Sequence, residues 1–400
     1  MIEAPRRYWP VLLFLGALAV PVLAPTPAAA APPYTIGYLA IEDDPRHKER
    51  RSYANIVIRP AIQPFEGAKA GLRAGRIIGR SLEVEFRLTR VEGRTAGDLA
   101  AGLERLYAEE GARFFLVDAP GPVIAELARA TRGRDILLLN VSAPDDALRG
   151  PDCERHLMHL VPSRAMLNDA LAQYAVSRRW RRVLVLHGPE PADQVLVEAF
   201  ERSAKRFGLR IVEVRGFLPT NDPRQREQNN LALLTGGVDY DLVFVADTIG
   251  DFGRQIPYGT YLPRPVIGSV GLVAEAWHWS WERHGAPQLN QRFGRVSERH
   301  MTGFDWSAWA AVRLVFEAMS RTRTTAFDPV VAYLKGQDLT FDNYKGTPGN
   351  FRTWDNQLRQ PILLHTGNAV IARAPIEGFL HPTSYMDTLG PDRAESLCRF

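Results

Sequence analysis

Lysine is nearly missing from this 400-residue chain. Five lysines (Lys48, Lys69, Lys205, Lys335 and Lys345) stand among 49 basic residues, so arginine carries almost all of the positive charge. Cysteine is scarcer still, with only Cys153 and Cys398. Two such distant thiols exclude a disulfide-built miniprotein and a cysteine-ligated metal centre. Walker A, G-x-S-x-G, H-E-x-x-H and S-x-x-K patterns are all missing, and no glycine-rich fingerprint follows the first apolar run. These absences speak against a P-loop NTPase, an α/β-hydrolase, a zincin, a β-lactamase-type enzyme and a dinucleotide site. There is no short solenoid repeat and no low-complexity linker. The formal charge is only +4 despite a pI near 9.1, and the basic residues are scattered instead of forming a stripe with interleaved aromatics. That distribution argues against nucleic acid.

What is present is ordinary globular composition, 46% apolar and 24% charged, enough for two domains with real cores. Residues 1–31 read as an export signal. Arg6 and Arg7 form a basic start, Val11 to Leu23 an apolar run, and Ala28 to Ala31 a small-residue cleavage site before Pro32 and Pro33. Spanning a bilayer needs about 20 apolar residues, and Pro10, Pro21, Pro25 and Pro27 crowd this segment. No cysteine follows the run, which excludes a lipoprotein anchor. The expected product is a soluble periplasmic protein. An oxidising compartment makes Cys153 and Cys398 candidates for one disulfide clipping the C-terminal tail, with two unrelated thiols as the plain alternative.

From Tyr34 the pattern alternates strand and helix. Strands are expected over 34–40, 82–88, 113–117 and 136–141, with helices over 65–79, 95–110 and 122–131. The alternation restarts with helices over 164–178, 192–207 and 222–234 and strands over 182–186, 209–216, 241–246 and 265–270. A long helix (301–320) and a late hairpin (351–373) follow. Runs apolar on both faces, such as Ile136–Val141, belong to parallel sheets covered by helices. The fold class is therefore α/β, with two doubly wound parallel-sheet lobes.

In such sheets ligands sit beyond the carboxyl ends of the strands. Those ends place Glu42 and Asp43, Asp118-Ala119-Pro120 and Ser142-Ala143-Pro144 in the first lobe, and His187, Asp247 and Gly271 in the second. Asp118, Ser142, His187 and Asp247 appear abruptly after apolar runs, where a cleft-lining residue and a helix cap look alike. His156 and His159, behind Glu154, lack a third ligand at useful spacing and suit packing better than a metal. Trp277 and Trp281 share a helical face, as do Trp306 and Trp309; core packing is their ordinary role, while Trp279 points elsewhere. The stretch His47–Tyr53 is the densest basic run of the mature chain. It is either a solvated face or a carboxylate clamp built from Arg50, Arg51 and Tyr53.

Leu160–Val176 (LVPSRAMLNDALAQYAV), the strand RRVLVL and the helix VLVEAFERSAKRFG resemble the second-lobe start of type I solute-binding proteins, the branched-chain amino acid receptor class of ABC transporters. GLVAEAWHWSWERHGAPQLNQRF, MTGFDWSAWAAVRLVFEA, FRTWDNQLRQPILL and MDTLGPDRAESLC resemble a subfamily associated with pyrroloquinoline quinone (PQQ)-dependent alcohol dehydrogenase systems. The resemblance implies two lobes joined by three crossovers and closing on a small ligand, with no catalysis and no required cofactor. It implies lobe 1 from residues 32–155 and 272–345, and lobe 2 from 156–271 and 346–400 with the C-terminal tail. An inner-membrane ABC permease is the implied partner, with a quinoprotein dehydrogenase as a second one. PQQ is the expected ligand, another small acid or amino acid the alternative. The binding residues expected on this basis are Asp43, Arg50, Arg51, Tyr53, Asp118, Ala119, Pro120, Ser142, Ala143, His187, Asp247, Trp277, Trp279 and Asp305.

Overall fold

The computed structural model describes residues 33–52, 55–62, 64–219 and 222–400, together with Met1 and Ala4. The expected export signal lies almost wholly outside these residues, and so does Tyr53. Strands β1 (Tyr34–Ile41), β2 (Arg50–Arg51), β3 (Val57–Arg59), β4 (Phe86–Gly93), β5 (Phe114–Asp118), β6 (Leu137–Asn140) and β7 (Leu157–His159) come first. Five of them form an all-parallel sheet in the order β4-β1-β5-β6-β7, while β2 and β3 make a separate antiparallel hairpin. The sequence reason is the apolar run with period-two sidedness. Phe114 and Leu116 enter a core built with helix Gly303–Thr322, whereas Phe115 and Val117 enter one built with helices Ala96–Glu109 and Gly121–Ala130. Helices thus cover both faces, as a parallel sheet requires.

The second lobe repeats the plan. β8 (Arg182–His187), β9 (Arg210–Gly216), β10 (Leu242–Ala246) and β11 (Val266–Gly268) form a parallel sheet in the order β11-β10-β8-β9. Val183 and Val185 face one core, Leu184 and Leu186 the other. An antiparallel sheet of β12 (Val273–Glu275), β13 (Ile362–Thr366) and β14 (Ala369–Ala374) adds to this lobe. Leu160, Ala276 and Leu358 belong to the first lobe's core, and Met166, Ala274 and Ile362 to the second's. The chain therefore changes lobe just after Leu160, between Ala274 and Ala276, and between Leu358 and Ile362. β7 pairs with β6 of the first sheet, and Phe351 and Leu358 pack on the first core.

Three local expectations fail for identifiable reasons. Residues 82–88 alternate like a strand, but helix Arg76–Ser81 ends there. Leu82 and Val84 donate back to Ile78 and Gly79, Glu83 takes a left-handed φ of 54°, and pairing starts only at Phe86. The helix expected over 222–234 is interrupted at Asn230, whose side chain accepts from the amides of Ala232 and Leu233 and caps a new turn. Residues 277–281 are not helical, so Trp277 and Trp281 share no helix face. In contrast, Thr95 and Asp98 exchange the reciprocal bonds of a capping box at the start of their helix.

Helix Pro64–Ala74 lies unusually close to helix Gly303–Thr322, and glycine makes that possible. A Cβ on Gly67 would stand 2.0 Å from the Asp305 carbonyl oxygen, and one on Gly71 would stand 2.9 Å from Val312 Cβ. Spaced by four, these two glycines lie on one helix face.

Cys153 and Cys398 are bonded, with Cα atoms 5.6 Å apart across 245 residues of chain. The link closes the C-terminal tail against the first lobe and restricts the unfolded chain. Cys398→Ser is expected to lower stability by about 2–5 kcal/mol, read as a shift of the denaturant midpoint between oxidised wild type and variant.

Candidate functional site

The carboxyl end of β5 carries a buried carboxylate, Asp118, 3% exposed. Such a group is stable only with hydrogen bonds and opposite charge around it. Tyr38 of β1 donates its hydroxyl to Oδ2 at 2.8 Å. His47 brings Nε2 to 2.7 Å from Oδ1, and an Arg46 amino group lies 3.7 Å from the same oxygen. Burial alone would raise the Asp118 carboxyl. The His47 contact, the Arg46 charge and the Ser142 hydroxyl outweigh it and hold the carboxyl below its usual value. Arg46 is fixed in turn by Asp44, which it grips through Nε at 2.9 Å and Nη2 at 2.6 Å, and it lies 3.4 Å from both the hydroxyl and the carbonyl of Ser142.

The loop that delivers Arg46 and His47 continues into the β2–β3 hairpin. There Arg50 Nη1 donates to the Thr248 carbonyl, at 3.2 Å, just beyond the end of β10. The carboxyl ends of the two parallel sheets consequently face each other, with this loop between them. Two cavities open here. One, of about 400 Å³, lies under the loop and is bordered by Tyr38, Phe65, Ile62 and five carboxylates, Asp43, Asp44, Glu49, Glu92 and Asp118. The other, of about 700 Å³, lies beside the crossovers and is bordered by Pro60, Glu275, Trp279, His300 and His365 among others.

The second cavity has planar walls. His278 stacks on His365 at 3.9 Å, and Trp279 stacks on His300 at 4.3 Å with 12° between the planes. The two stacked imidazoles are driven apart in charge. Burial and the neighbouring His365 push His278 down to about 4. Burial also opposes the His365 charge, but Glu275, with Oε2 3.5 Å from Nε2, overrides it and raises His365 above its ordinary value. One ring is thus neutral and its partner is biased toward the cation.

In sequence, residues 67–256 match the family described as periplasmic binding protein. No curated protein matches the chain by sequence. In structure, the chain is similar to a branched-chain amino acid ABC transporter ligand-binding protein from Burkholderia xenovorans, at TM-score 0.66 and 13% identity over 85% of this chain and 95% of that one. A solute-binding protein from R. palustris in complex with benzoate gives 0.63 and 11%, covering 92% and 100%. A Streptococcus pneumoniae branched-chain amino acid binding protein with isoleucine gives 0.61 and 14%, covering 85% and 98%. The chain has the type I periplasmic binding protein fold.

Within this binding-protein fold the expected site residues separate into groups. Asp43 and Asp118 border the loop cavity, and Trp277 and Trp279 border the ring-walled one. Trp277 is wholly buried, parallel to Trp306, and donates to Asn290. Asp247 is a cap: its two oxygens accept the amides of Gly250 and Gly253, each at 2.7 Å. Asp305 is likewise a cap, closing a capping box with Thr302 and pairing with Arg299. Ser142 and Ala143 are covered, and their amides are bonded by the Asn140 side chain. Ala119 is buried, and Pro120 precedes helix Gly121–Ala130 as its cap residue. His187 turns its Nδ1 to the Gly188 carbonyl at 2.8 Å. Arg51 corrects the expectation of a clamp. It pairs with Glu49 at 2.6 Å and with the Asn55 carbonyl on the exposed hairpin, while Arg50 is held by Thr248.

Sequence reasoning missed Arg46, His300 and His365. The available signal for Arg46 was Asp118 itself, since an acid at the end of a buried strand must find a cation. His156 bonds Thr131 and His159 bonds Asn140; among the described residues no group of three or more His, Cys, Asp or Glu is placed to hold a metal.

Asp118→Asn leaves His47 and Arg46 without their shared anion and is expected to cost about 3 kcal/mol. Because the folded-state value is lowered, the stability Asp118 contributes is present above its unfolded value of about 4. It is lost as pH falls through the folded value. Wild-type unfolding between pH 7 and 3 should therefore show an acid loss that the Asn variant lacks in part.

Proposed function

We propose that the chain is an exported receptor of an ABC importer that takes a small planar organic acid between its lobes and performs no chemistry on it. The observation that carries this reading is the ring-walled cavity at the junction of two lobes whose strand ends face each other. The stacked His278–His365 and Trp279–His300 pairs offer flat faces, and His365 offers a positive charge for a carboxylate. The similarity to a benzoate-bound receptor supports the same class of ligand, as does a second R. palustris receptor in complex with 3,4-dihydroxybenzoic acid. Periplasmic location and an inner-membrane permease follow from the receptor role, and no cofactor is needed.

PQQ fits less well than the sequence suggested. Its three carboxylates call for free arginine forks, and Arg50 and Arg51 are committed elsewhere. Arg299 borders the cavity too, but it is paired with Asp305 and Glu66, and Glu275 and Glu298 add negative charge there. With PQQ goes the reason to expect a quinoprotein dehydrogenase as partner. An α-amino acid is also disfavoured at the first-lobe loop, because Asn140 already satisfies the amides that would hold its carboxylate.

Calorimetry and tryptophan emission with benzoate, isoleucine and PQQ test the proposal. Benzoate is expected to bind saturably, one per chain, and Trp279→Ala to weaken it about fivefold to tenfold at an unchanged melting temperature. No heat with benzoate alongside saturable binding of PQQ or isoleucine overturns the ligand class.

The pH dependence follows from His365. Its charged form pairs with a carboxylate, so benzoate affinity should be highest at acidic to neutral pH. It should fall as pH rises through the elevated His365 value, and His365→Gln should flatten that profile.

A further inference from the structure

Lys345 is completely buried, an unusual position for an amine. Its Nζ donates to the Ala276 carbonyl at 2.8 Å and to Gln360 Oε1 at 2.7 Å, and it lies 3.7 Å from the centre of the Trp306 ring. Among the described residues no carboxylate forms an ion pair with it. Gln360, also fully buried, uses its other end to donate from Nε2 to the Leu160 carbonyl at 2.6 Å. Leu160, Ala276 and Gln360 are the residues at which the chain passes from one lobe to the other. A single hydrogen-bonded line, Leu160–Gln360–Lys345–Ala276, therefore ties all three crossovers together across the hinge. The second lobe also reaches this line, since Arg373 of β14 donates to the Lys345 carbonyl.

A lysine needed only to fill space would be replaced at no loss by an apolar side chain, and burial of the amine disfavours its charge. What an apolar residue cannot supply is two donors aimed at acceptors on two different crossovers. The crossovers are the segments whose torsions must change when lobes close. Unlinked, each would bend on its own and the lobes would sample many relative orientations. Linked, they must turn together.

We propose that Lys345 and Gln360 are positioning residues that make the three crossovers bend as one hinge, an inference that rests on reading the lobes as closing on a ligand. The test needs no ligand, so a failed benzoate titration leaves it standing and its own failure leaves the ligand reading standing. Hydrogen exchange of the intact protein is followed in peptides covering 157–162, 273–278 and 357–362, with X-ray scattering for the spread of interlobe separations. Lys345→Met keeps the stem against Trp306 and removes the donors. It is expected to speed exchange at least tenfold in the 273–278 and 357–362 segments and to broaden the separation of the lobes. Gln360→Leu leaves the Lys345–Ala276 bond in place, so it should speed 157–162 and 357–362 at least tenfold while 273–278 keeps its protection. Gln360→Glu, which retains the acceptor for Lys345 but loses the donor to Leu160, should release 157–162 alone. Exchange that rises only around 340–348, or equally in all segments for every variant, overturns the proposal. If Lys345→Met fails to fold, the contrast between the two Gln360 variants decides it.

Discussion

Asp118 cannot be buried alone. A carboxylate at the closed end of a parallel sheet loses its hydration, and in a low-dielectric setting that loss is repaired only by donors and cations at contact distance. Tyr38 supplies one donor from the neighbouring strand. The others have to come from outside the sheet, and the chain after β1 folds back to bring His47 and Arg46. Asp44 then anchors Arg46 from two residues away, leaving the next residues pointed at the second lobe, where Arg50 meets Thr248. The length and charge of the 42–64 loop follow from this one burial. Its acids and bases are chiefly partners of one another and of Asp118.

That arrangement decides where a ligand can be read. The amides and hydroxyl of the loop after β6 are covered, with Asn140 on the amides of Ser142 and Ala143 and Arg46 on the Ser142 hydroxyl. The loop cavity is bordered by five carboxylates against Lys48, Arg90 and His47, an excess of acidic groups. The surface with unfilled capacity lies near the crossovers, where flat rings are stacked in pairs and one imidazole is biased toward its charged form. The cavity at that place draws its lining from both lobes, because Pro60 comes from the first loop and His365 from a strand of the second lobe.

Much of the fold could be read in advance because buried parallel strands announce themselves as short runs apolar on both faces, and both sheets are made of such runs. Boundaries failed where the same alternation arises from a helix end, as at Leu82–Phe86, or where a single capping side chain splits a helix, as at Asn230. Among the site residues the ambiguity is physical. Asp247 and Asp118 each follow an apolar strand, and nothing in their immediate sequence separates them. Asp247 meets the amides of Gly250 and Gly253 because the chain turns at once into a tight loop, whereas Asp118 is followed by Ala119 and Pro120, and its oxygens are left for partners distant in sequence. The histidines of the ring-walled cavity come from positions 278, 300 and 365, brought together only by the crossovers.

The scarcity of lysine acquires a meaning at the hinge. Where several acceptors converge, the chain uses arginine. Buried Arg149 donates to Gln357 and to the carbonyls of Ala143, Asp145 and Val161, and buried Arg352 to Asp387 and the carbonyls of Leu389 and Met386. A guanidinium has five N–H donors in a rigid plane and leaves costly orphans when acceptors are few. At position 345 there are two acceptors and a ring face, arranged around a point. An amine on a flexible stem fits that geometry, with two N–H groups for the carbonyl-type oxygens and the Trp306 face for any residual charge. An arginine there would carry surplus donors into the core between the crossovers. The number of acceptors available at each buried position is thus enough to account for a lysine at the hinge of a protein that otherwise prefers arginine.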